Sequence, residues 1–408
     1  MAKTNWWMSL NKFHHVQLIV IWLFFYLLLC FLTPHFSYEG DTIEWLRWAN
    51  YIQQKGITTV YQSDINYPPV FLYVLWFYQH IFNSPQLISE NLIWLKYLVL
   101  FFDLLPFLIL YFLRQESFKY LLFLSIVLNI GYLHNSIIWG QIDSLPSFFA
   151  VFSIFFVPIH IPLSAVLMAL ALLSKFQVII FTPLLALAFL NFYGICWKKI
   201  IQFKLVFTVT ITILLLPFIV GSQLHHFLSM LGNQVGLYPA CSLNAFNFWY
   251  LVFSKNPLLV MDDTIYIGLS YKTWGLIMFF LFSALILIPY LYRLYMKEKV
   301  PLELYFLTTA LIVLLFFYFN TEMHERYSYF ALLPLFIFAY YSHNWIPFFA
   351  LSILYFLNAD LILGFVLPFN LNIPIFQKTI ALLFFGLILY LIFIQWSYMR
   401  KKFYPTFN

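Results

Sequence analysis

Charged side chains are scarce in this chain, because Asp, Glu, Lys and Arg together make up only 9% of its 408 residues. A soluble domain carries about 25% charged residues, so the composition excludes a soluble globular protein. Hydrophobic residues make up 63% of the chain, and aromatic residues make up 23%. No polar stretch is long enough to form a soluble domain. We therefore expect an all-α polytopic membrane protein, with residues 1–408 forming a single integral membrane domain.

Cysteine is also scarce, and the three residues Cys30, Cys196 and Cys241 lie far apart in the sequence. This spacing supports neither a disulfide framework nor a zinc site. No metal motif is present, so we expect no metal and no cofactor, although a pair of outer carboxylates could still bind a divalent ion. The net charge of +6 comes from short basic clusters between apolar runs, which indicate membrane topology and no nucleic-acid partner.

Long apolar runs recur along the whole chain, and a membrane-spanning helix needs about 20 such residues. The predicted spans are 16–34, 92–113, 120–138, 144–160, 163–175, 177–193, 204–221, 274–295, 302–320, 328–342, 345–366 and 376–398. The first run ends without a small-residue cleavage site, so we interpret it as an uncleaved helix. The pair 163–175 and 177–193 could instead be one bent helix and a re-entrant piece. The prediction is therefore about 11–13 transmembrane helices.

The basic residues orient these spans. With the amino terminus inside, the short cytoplasmic connections hold 13 of the 21 Lys and Arg residues, as the positive-inside rule requires. Counting Val70–Phe82 as another span would move several basic clusters outside, so we predict an interfacial or re-entrant helix there. Both termini are then cytoplasmic. Residues 35–91 form a first outer loop with interfacial helices, and 222–273 form a second long outer segment.

Carboxylates show the opposite distribution. The acids expected on the outer side are Glu39, Asp41, Glu44, Asp64, Glu90, Asp143, Asp262, Asp263, Glu322 and Glu325. This asymmetry indicates a site on the outer face. Asp103 and Asp360 fall within predicted spans. We interpret Asp103 as structural, with Lys96 or an amide as its partner.

Five short polar patches, and a possible sixth, converge on the outer face in this topology. They are Gly40-Asp41, Tyr67-Pro68-Pro69, Trp139-Gly140-Gln141-Ile142-Asp143, Lys175-Phe176-Gln177, Met323-His324-Glu325-Arg326-Tyr327 and Asn244-Ala245-Phe246-Asn247-Phe248-Trp249. Ionisable groups near a membrane are costly to maintain, which favours a functional reading. Arg and Lys suit phosphate oxygens, whereas carboxylates, amides and aromatic faces suit sugars. The set therefore predicts a phospholipid-linked sugar as the substrate.

These patches, in this order, resemble those of the GT-C superfamily of polyprenyl-phosphate-sugar-dependent glycosyltransferases. The chain is most similar to bacterial mannosyltransferases related to the second GPI-anchor mannosyltransferase. The resemblance implies a catalytic Asp on a first outer loop with interfacial helices, and an inverting transfer that needs no metal. The segment Lys175-Phe176-Gln177 departs from the family pattern, because Phe stands where Pro or Gln is commoner.

We expect Asp41 to be the general base that removes a proton from an acceptor hydroxyl. Arg326, His324 and Lys175 would bind the donor phosphate and stabilise its developing charge. The residues expected to contact substrate are Tyr67, Gln141, Asp143, Asn247 and Glu325. The expected partners are a polyprenyl-phosphate-linked sugar, a glycan or glycolipid acceptor, and the lipid bilayer, which we take to be a bacterial cell membrane.

Each of these residues also has a purely structural interpretation. Asp41 could cap an interfacial helix, and Gln141 and Asp143 could cap the helix that begins near Ser144. Arg326 could pair with Glu322 or Glu325, and Lys175 could extend to the membrane interface. His324, Asn247 and Trp249 could serve as interfacial packing, and Tyr67-Pro68-Pro69 as a rigid end to the loop.

Two other protein classes stay open from the sequence. A transporter or flippase of lipid-linked glycans would show internal repeats and broken helices at mid-membrane, and the sequence shows no repeat. A glycan polymerase or ligase would use the same outer-face chemistry with a pyrophosphate-linked oligosaccharide as donor. The sequence does not separate that class from a single-sugar transferase.

Overall fold

A computed structural model describes residues 4–114, 120–234, 236–367 and 373–400, with side chains of the first helix described from position 15 onward. These residues form eighteen α-helices. The first ten are α1 (Thr4–Leu32), α2 (Glu39–Lys55), α3 (Pro69–Ile81), α4 (Pro85–Glu90), α5 (Ile93–Arg114), α6 (Tyr120–Val127), α7 (Ile130–Leu133), α8 (Ser144–Phe156), α9 (Ile161–Leu172) and α10 (Thr182–Tyr193). The other eight are α11 (Trp197–Val220), α12 (Leu224–Gly232), α13 (Phe248–Val252), α14 (Tyr271–Tyr295), α15 (Leu302–Phe319), α16 (Leu332–Ser342), α17 (Ile346–Leu363) and α18 (Pro374–Arg400).

Short irregular helices and one small hairpin complete the architecture. The 3₁₀ segments are Ile57–Gln62, Phe176–Phe181, Pro257–Leu259 and Tyr327–Ala331. A π-helical segment covers His134–Trp139. Strands β1 (Ile265–Tyr266) and β2 (Leu269–Ser270) pair antiparallel.

Eight helical segments in the described ranges are long and apolar enough to cross a membrane. They are His15–Leu32, Ile93–Leu113, Phe176–Tyr193, Trp197–Val220, Tyr271–Tyr295, Leu302–Phe319, Ile346–Leu363 and Pro374–Arg400. Three shorter apolar segments are Ser144–Phe156, Ile161–Leu172 and Tyr327–Ser342. The expectation of an all-α polytopic membrane protein is confirmed, and eleven of the twelve predicted spans overlap these segments.

The predicted span 120–138 differs, because the chain there is broken into α6, α7 and the π-helical segment. Asn129 causes the break locally, since its Oδ1 accepts a hydrogen bond from Tyr132 N at 3.1 Å and caps α7. The Asn129 amide also donates to Ser352 Oγ on α17 at 3.0 Å. Asn prefers such capping positions to helix interiors, and tertiary contacts hold the bend.

Helix α15 lies at the centre of the bundle, where 83% of its residues are buried by protein. The span Trp197–Val220 lies at the edge, where only Leu215 and Phe218 of its 24 residues are buried. Helix α1 likewise exposes apolar side chains such as Phe31 and Leu27. Apolar surface of this extent on the peripheral helices is suited to lipid rather than to water.

Residues 35–91, predicted as the first outer loop, contain α3, where a helix was predicted over Val70–Phe82. Helix α3 packs against α2 through buried aromatic and aliphatic side chains, including the contact of Trp45 with Phe71, and Trp48 of α2 contacts Tyr67 just before α3. Both helices therefore form a small hydrophobic core beside the main bundle. This core fixes the orientation of α2, which carries Asp41.

Lys96 of α5 connects the chain before α2 to the π-helical segment. Its buried ammonium donates to the carbonyl oxygens of Pro34 at 3.1 Å and Phe36 at 2.5 Å. It also donates to those of Ile137 at 2.9 Å and Ile138 at 3.3 Å. An ammonium has three N–H groups, so the four carbonyl oxygens share them. The lysine thereby holds the chain before α2 against the π-helical segment.

Residues 222–273, predicted as the second long outer segment, are held against the turn after α15. Glu322 accepts hydrogen bonds from Gly236 N at 2.9 Å and Lys272 Nζ at 2.6 Å. The buried Asp262 accepts one from Thr321 Oγ1 at 2.7 Å. These contacts bring the segment over the motif at positions 323–327.

Candidate functional site

A cavity of about 940 Å³ lies between α2, the chain around Lys175 and the turn after α15. Its lining includes six of the nine side chains predicted to form the site, from four separate parts of the chain. The six are Asp41, Tyr67, Lys175, His324, Glu325 and Arg326. The fold therefore brings most of the predicted residues to one cavity, of a size suited to a small-molecule substrate.

Asp41 occupies the first turn of α2 and is half-buried at the cavity wall. Its Oδ2 accepts a hydrogen bond from the indole Nε1 of Trp139 at 2.9 Å. The residue that caps α2 is Tyr38, which makes no side-chain capping bond. Asp41 therefore does not cap the helix, although a carboxylate in the first turn is favoured by the helix dipole.

Trp139 is the site residue that sequence reasoning did not single out, although it stands in a quoted patch. Its buried indole contacts Asp41, and its ring lies 5.1 Å from the guanidinium carbon Cζ of Arg326. The next residue, Gly140, has a φ of +86°, and its N–H bonds to Asn135 O at 3.0 Å. A left-handed residue ends the π-helical segment here, and glycine adopts it without strain.

The cations of the site are held in a buried ionic cluster. Lys175 Nζ forms a hydrogen-bonded ion pair with Asp143 Oδ1. Arg326 Nε lies 3.8 Å from Asp143 Oδ2, and Arg326 Nη1 lies 3.2 Å from Glu325 Oε1. Charges buried in this way are costly to desolvate unless they are paired. The two cations and two carboxylates therefore stabilise one another at the base of the cavity.

The titration of these groups follows from burial and from their neighbours. Burial lowers the pKa of Lys175, and the Asp143 carboxylate opposes that shift. Burial also acts to lower the pKa of Arg326, but the carboxylates of Asp41 and Glu325 outweigh it and raise the pKa well above its usual range. The Arg326 guanidinium therefore stays positively charged, and it interacts electrostatically with the carboxylate of Asp41.

His324 lies beside the Glu325 carboxylate of this cluster, with 3.9 Å between His324 Nδ1 and Glu325 Oε2. Burial lowers the pKa of His324, and the positive charge of Arg326 lowers it further. Burial acts to raise the pKa of Glu325, but its interactions with His324 and Arg326 leave the pKa below its ordinary value. The backbone of His324 also bridges to Leu243 and Asn244 in the second outer segment. At neutral pH we therefore expect a neutral His324 and an anionic Glu325.

Tyr67 lines the cavity together with Asp41, and it also packs against the hydrophobic core formed by α2 and α3. Its ring packs 5.2 Å from that of Trp48. Burial, and then the negative charge of Asp41, raise the pKa of its hydroxyl well above the ordinary value. The hydroxyl is therefore a neutral hydrogen-bonding group. Gln177 Nε2 donates to Tyr327 OH at 3.1 Å, and both of these residues also line the cavity.

Three predicted contact residues lie behind the cavity wall and are fully buried. Asp143 holds the two cations, and it makes no side-chain cap for α8. Gln141 Oε1 accepts from Ile142 N at 3.3 Å. Asn247 caps α13 and donates to Phe317 O at 3.1 Å. In this structure these side chains support the wall without reaching its surface.

Of the structural roles considered for the cations, the pairing of Arg326 with a glutamate is observed, whereas the extension of Lys175 to the membrane interface is not. Arg326 pairs with Glu325, whereas Glu322 pairs with Lys272 at 2.6 Å. Lys175 points to a buried carboxylate and not to the membrane interface. An ammonium has three N–H donors and a guanidinium has five, so these ion pairs do not use all the donors of Lys175 and Arg326. Both residues line the cavity, which places these positioned cations beside any anionic ligand bound there.

The acids inside the membrane have structural partners. Asp103 accepts hydrogen bonds from the hydroxyl groups of Ser136 and Tyr329. Its partners are thus hydroxyls, and not the lysine or amide expected from the sequence. Asp360 pairs with His134, with 3.1 Å between Oδ1 and Nε2. Within the described ranges, no three His, Cys, Asp or Glu side chains lie close enough together to hold a metal ion.

The cavity combines a carboxylate at a helix start, two anchored cations, aromatic faces and an apolar wall. Comparison of the chain with models of known protein families finds no match, and comparison with curated proteins finds none either. The likeness to GT-C enzymes therefore rests on the short sequence motifs. The chain is a multi-pass membrane protein whose candidate site is this cavity.

Proposed function

We propose that this chain is an integral membrane glycosyltransferase that moves one hexose from a polyprenyl-phosphate donor to a glycan or glycolipid acceptor. The observation that carries the proposal is that Asp41 and the two cations Lys175 and Arg326 line one cavity. A base and a phosphate-binding pair in one cavity are the groups that such a transfer needs. The reaction takes place on the outer face of a bacterial cell membrane, with both termini in the cytoplasm.

Asp41 is the general base in this mechanism. It takes the proton from an acceptor hydroxyl as that oxygen attacks the anomeric carbon of the donor sugar. The bond from that carbon to the phosphate oxygen breaks, and the configuration inverts. The hydrogen bond from Trp139 fixes one carboxylate oxygen, and we assign proton transfer to the other. General bases of this kind contribute about 10²–10⁴-fold to the rate.

Arg326 and Lys175 stabilise the phosphate that leaves. The sugar-linked phosphodiester has one negative charge, and more charge develops on the leaving phosphate as the sugar departs. Because Asp143 and Glu325 hold both cations in place, little reorganisation is needed in the transition state. A phosphate leaves without a general acid, so one carboxylate suffices where glycosidases use two. His324 lies beside Arg326 and contributes a hydrogen bond to the same phosphate.

An apolar side of the cavity gives the lipid chain of the donor a path to the membrane. Ile179 and Leu276 line the cavity, and their side chains are 45% and 41% exposed. Both residues belong to membrane-spanning segments, Phe176–Tyr193 and Tyr271–Tyr295. The head group of a polyprenyl phosphate can therefore enter the polar cavity while its hydrocarbon chain stays among lipids. This arrangement favours a lipid-linked donor over a water-soluble nucleotide sugar.

The proposal is tested with purified protein in lipid nanodiscs. The protein is offered polyprenyl-phosphate mannose, glucose and galactose, or a pyrophosphate-linked oligosaccharide, with host lipid extract as the acceptor. We expect sugar transfer from one of the monophosphate donors, unchanged by EDTA. Transfer of a whole oligosaccharide from the pyrophosphate donor would instead identify a polymerase or ligase. No transfer from any donor, with movement of the donor across a liposome membrane, would identify a flippase.

A further inference from the structure

One face of α2 lines the cavity from the proposed base toward the carboxyl end of the helix. Asp41, Trp45 and Trp48 are spaced four and three residues apart, which places them on one side of a helix. At a rise of about 1.5 Å per residue, Trp48 lies about 10 Å along the axis from Asp41. The wall therefore extends well beyond Asp41 along α2.

Two polar groups of the cavity lining, one on α2 and one in the chain just before α3, have no hydrogen-bond partner among the described residues. They are the indole donor Nε1 of Trp48 and the amide acceptor Oδ1 of Asn66. Trp48 is only 3% exposed, and both residues line the cavity. Buried polar groups are nearly always hydrogen-bonded, so an unpaired donor and an unpaired acceptor beside a cavity indicate a missing ligand. A sugar hydroxyl can both accept and donate such bonds.

The charges on this wall differ from those at the ionic cluster. Arg47 lies between two carboxylates, forming an ion pair with Glu44 and another with Asp64 at 2.7 Å. Together with Asp41, the three carboxylates and one guanidinium have a formal charge of −3 + 1 = −2. The cluster of two cations and two carboxylates has a formal charge of +2 − 2 = 0. An anionic ligand is therefore disfavoured in this part of the cavity.

We propose that the α2 wall, formed by Glu44, Trp48 and Asn66, binds the acceptor and is selective for an uncharged sugar. This inference rests on the proposed function, because Asp41 at its end supplies the base for the acceptor hydroxyl. Trp48 donates a hydrogen bond to a hydroxyl oxygen of the acceptor, and Asn66 accepts one from a hydroxyl group. The aromatic ring of Tyr67 packs on that of Trp48, and Tyr67 also lines the cavity. A sugar with a carboxylate or phosphate on it is excluded by Glu44 and Asp64.

The first experiment measures binding without turnover. Nitrophenyl mannoside, glucoside and galactoside are the uncharged probes, and nitrophenyl glucuronide is the anionic counterpart of the glucoside. Binding to the protein in nanodiscs is measured by calorimetry. We expect at least one uncharged hexoside to bind at least about tenfold more tightly than the glucuronide. The double variant Glu44→Gln with Asp64→Asn should remove most of that difference. Equal binding of glucoside and glucuronide, or no binding of any hexoside, would overturn the proposal.

The second experiment removes the unpaired donor. Trp48→Phe keeps an aromatic ring and removes the N–H group, so affinity for the uncharged hexoside should fall about three- to tenfold. The matched control is Trp94→Phe, because Trp94 lies on α5, outside the cavity lining, and is exposed. Equal affinity in the two variants would contradict the role of Trp48. If Trp48→Phe does not fold, the carboxylate double variant decides the question through its selectivity.

The two proposals fail in different ways. If the protein transfers sugar but Trp48→Phe leaves the acceptor KM unchanged, the acceptor wall is wrong and the proposed function stands. If uncharged hexosides bind selectively but no donor supports transfer, the sugar site stands and the proposed function is wrong. The donor KM provides a further check, since Trp48→Phe should leave it within about twofold of the wild-type value.

Discussion

The buried ionic cluster offers the sharpest test of the structure, through the pair Lys175 and Asp143. Asp143 faces two cations, with 3.8 Å between its Oδ2 and Arg326 Nε. At an effective dielectric constant of about 20, charges at that distance attract by about 4 kcal/mol. Breaking a buried pair by removing one partner costs about 3–5 kcal/mol in practice. We expect Asp143→Asn to fall in that range, because it leaves two buried cations without the carboxylate they share.

Lys175→Met should cost less, about 1–3 kcal/mol, because Asp143 keeps Arg326 as a partner. The double variant Asp143→Asn with Lys175→Met should lose no more free energy of unfolding than Asp143→Asn alone. A matched control is the pair Lys272 and Glu322, which lines the same cavity but is partly exposed, at 32% and 14%. The equivalent double variant there, Lys272→Met with Glu322→Gln, should show a coupling of about 1 kcal/mol or less.

The assay is the free energy of unfolding in bicelles, measured by steric trapping, for the wild type, each single variant and both double variants. Strict additivity of Asp143→Asn and Lys175→Met, within about 0.5 kcal/mol, would refute the ionic cluster. Activity provides a second reading of the same variants. Because Lys175 binds the donor phosphate in the proposed mechanism, we expect the folded fraction of the double variant to have a raised donor KM and a lowered kcat.

Three further predictions concern residues around the cavity. Trp139→Phe removes the donor to Asp41 and should lower kcat about 10- to 100-fold, since a hydrogen bond to a charged group is worth about 1.5–3 kcal/mol. Gly140→Ala should lower the thermal midpoint more than Gly364→Ala. Both glycines have a positive φ, but of the two only Gly140 has a neighbour, Cε of Lys96, that an added methyl group would approach to 3.0 Å. In the folded protein the pKa of His324 is lowered from 6.5, so below that pH the unfolded chain binds a proton that the folded chain does not. Acidification should therefore destabilise the wild type, and His324→Gln should remove this part of the loss.

Each of these three predictions has its own control or contradicting result. Trp94→Phe is the control for the tryptophan, and equal kcat values for the two variants would argue against the contact with Asp41. Equal midpoints for the two glycine variants, from differential scanning fluorimetry, would argue against the crowding at Gly140. For His324, the thermal midpoint of the wild type should decrease as the pH is lowered from 7.5 to 5, and that of His324→Gln should decrease less. Parallel curves would show that another group titrates there.

The membrane helices could be predicted because their signal is local. A run of about 20 apolar residues needs nothing from elsewhere in the chain to be identified. The segment 120–138 shows the limit of this reasoning, because its hydropathy is that of a single span. The break at Asn129 depends on Ser352 in α17, a partner 223 residues away. Hydropathy averages over such a contact and does not detect it.

The site could be predicted only as a set of converging patches. Topology placed Asp41, Lys175 and Arg326 on one side, and the fold brings them to one cavity. The ion pairs among these residues could not be predicted from the sequence. Asp143 was expected to contact the substrate, but it lies behind the cavity wall and pairs with Lys175. Trp139 was passed over since tryptophans are common at membrane interfaces. Its indole N–H is informative only once Asp41 is seen beside it.

The most direct test of the central claim compares Asp41→Asn with Glu39→Gln in the sugar-transfer assay. Both substitutions remove one carboxylate from the first turn of α2, so both alter the helix start alike, but Glu39 is exposed and does not line the cavity. We predict that Asp41→Asn lowers kcat by about 10²–10⁴-fold, while Glu39→Gln stays near the wild-type value. Transfer by Asp41→Asn at the rate of Glu39→Gln would contradict the assignment of Asp41 as the base.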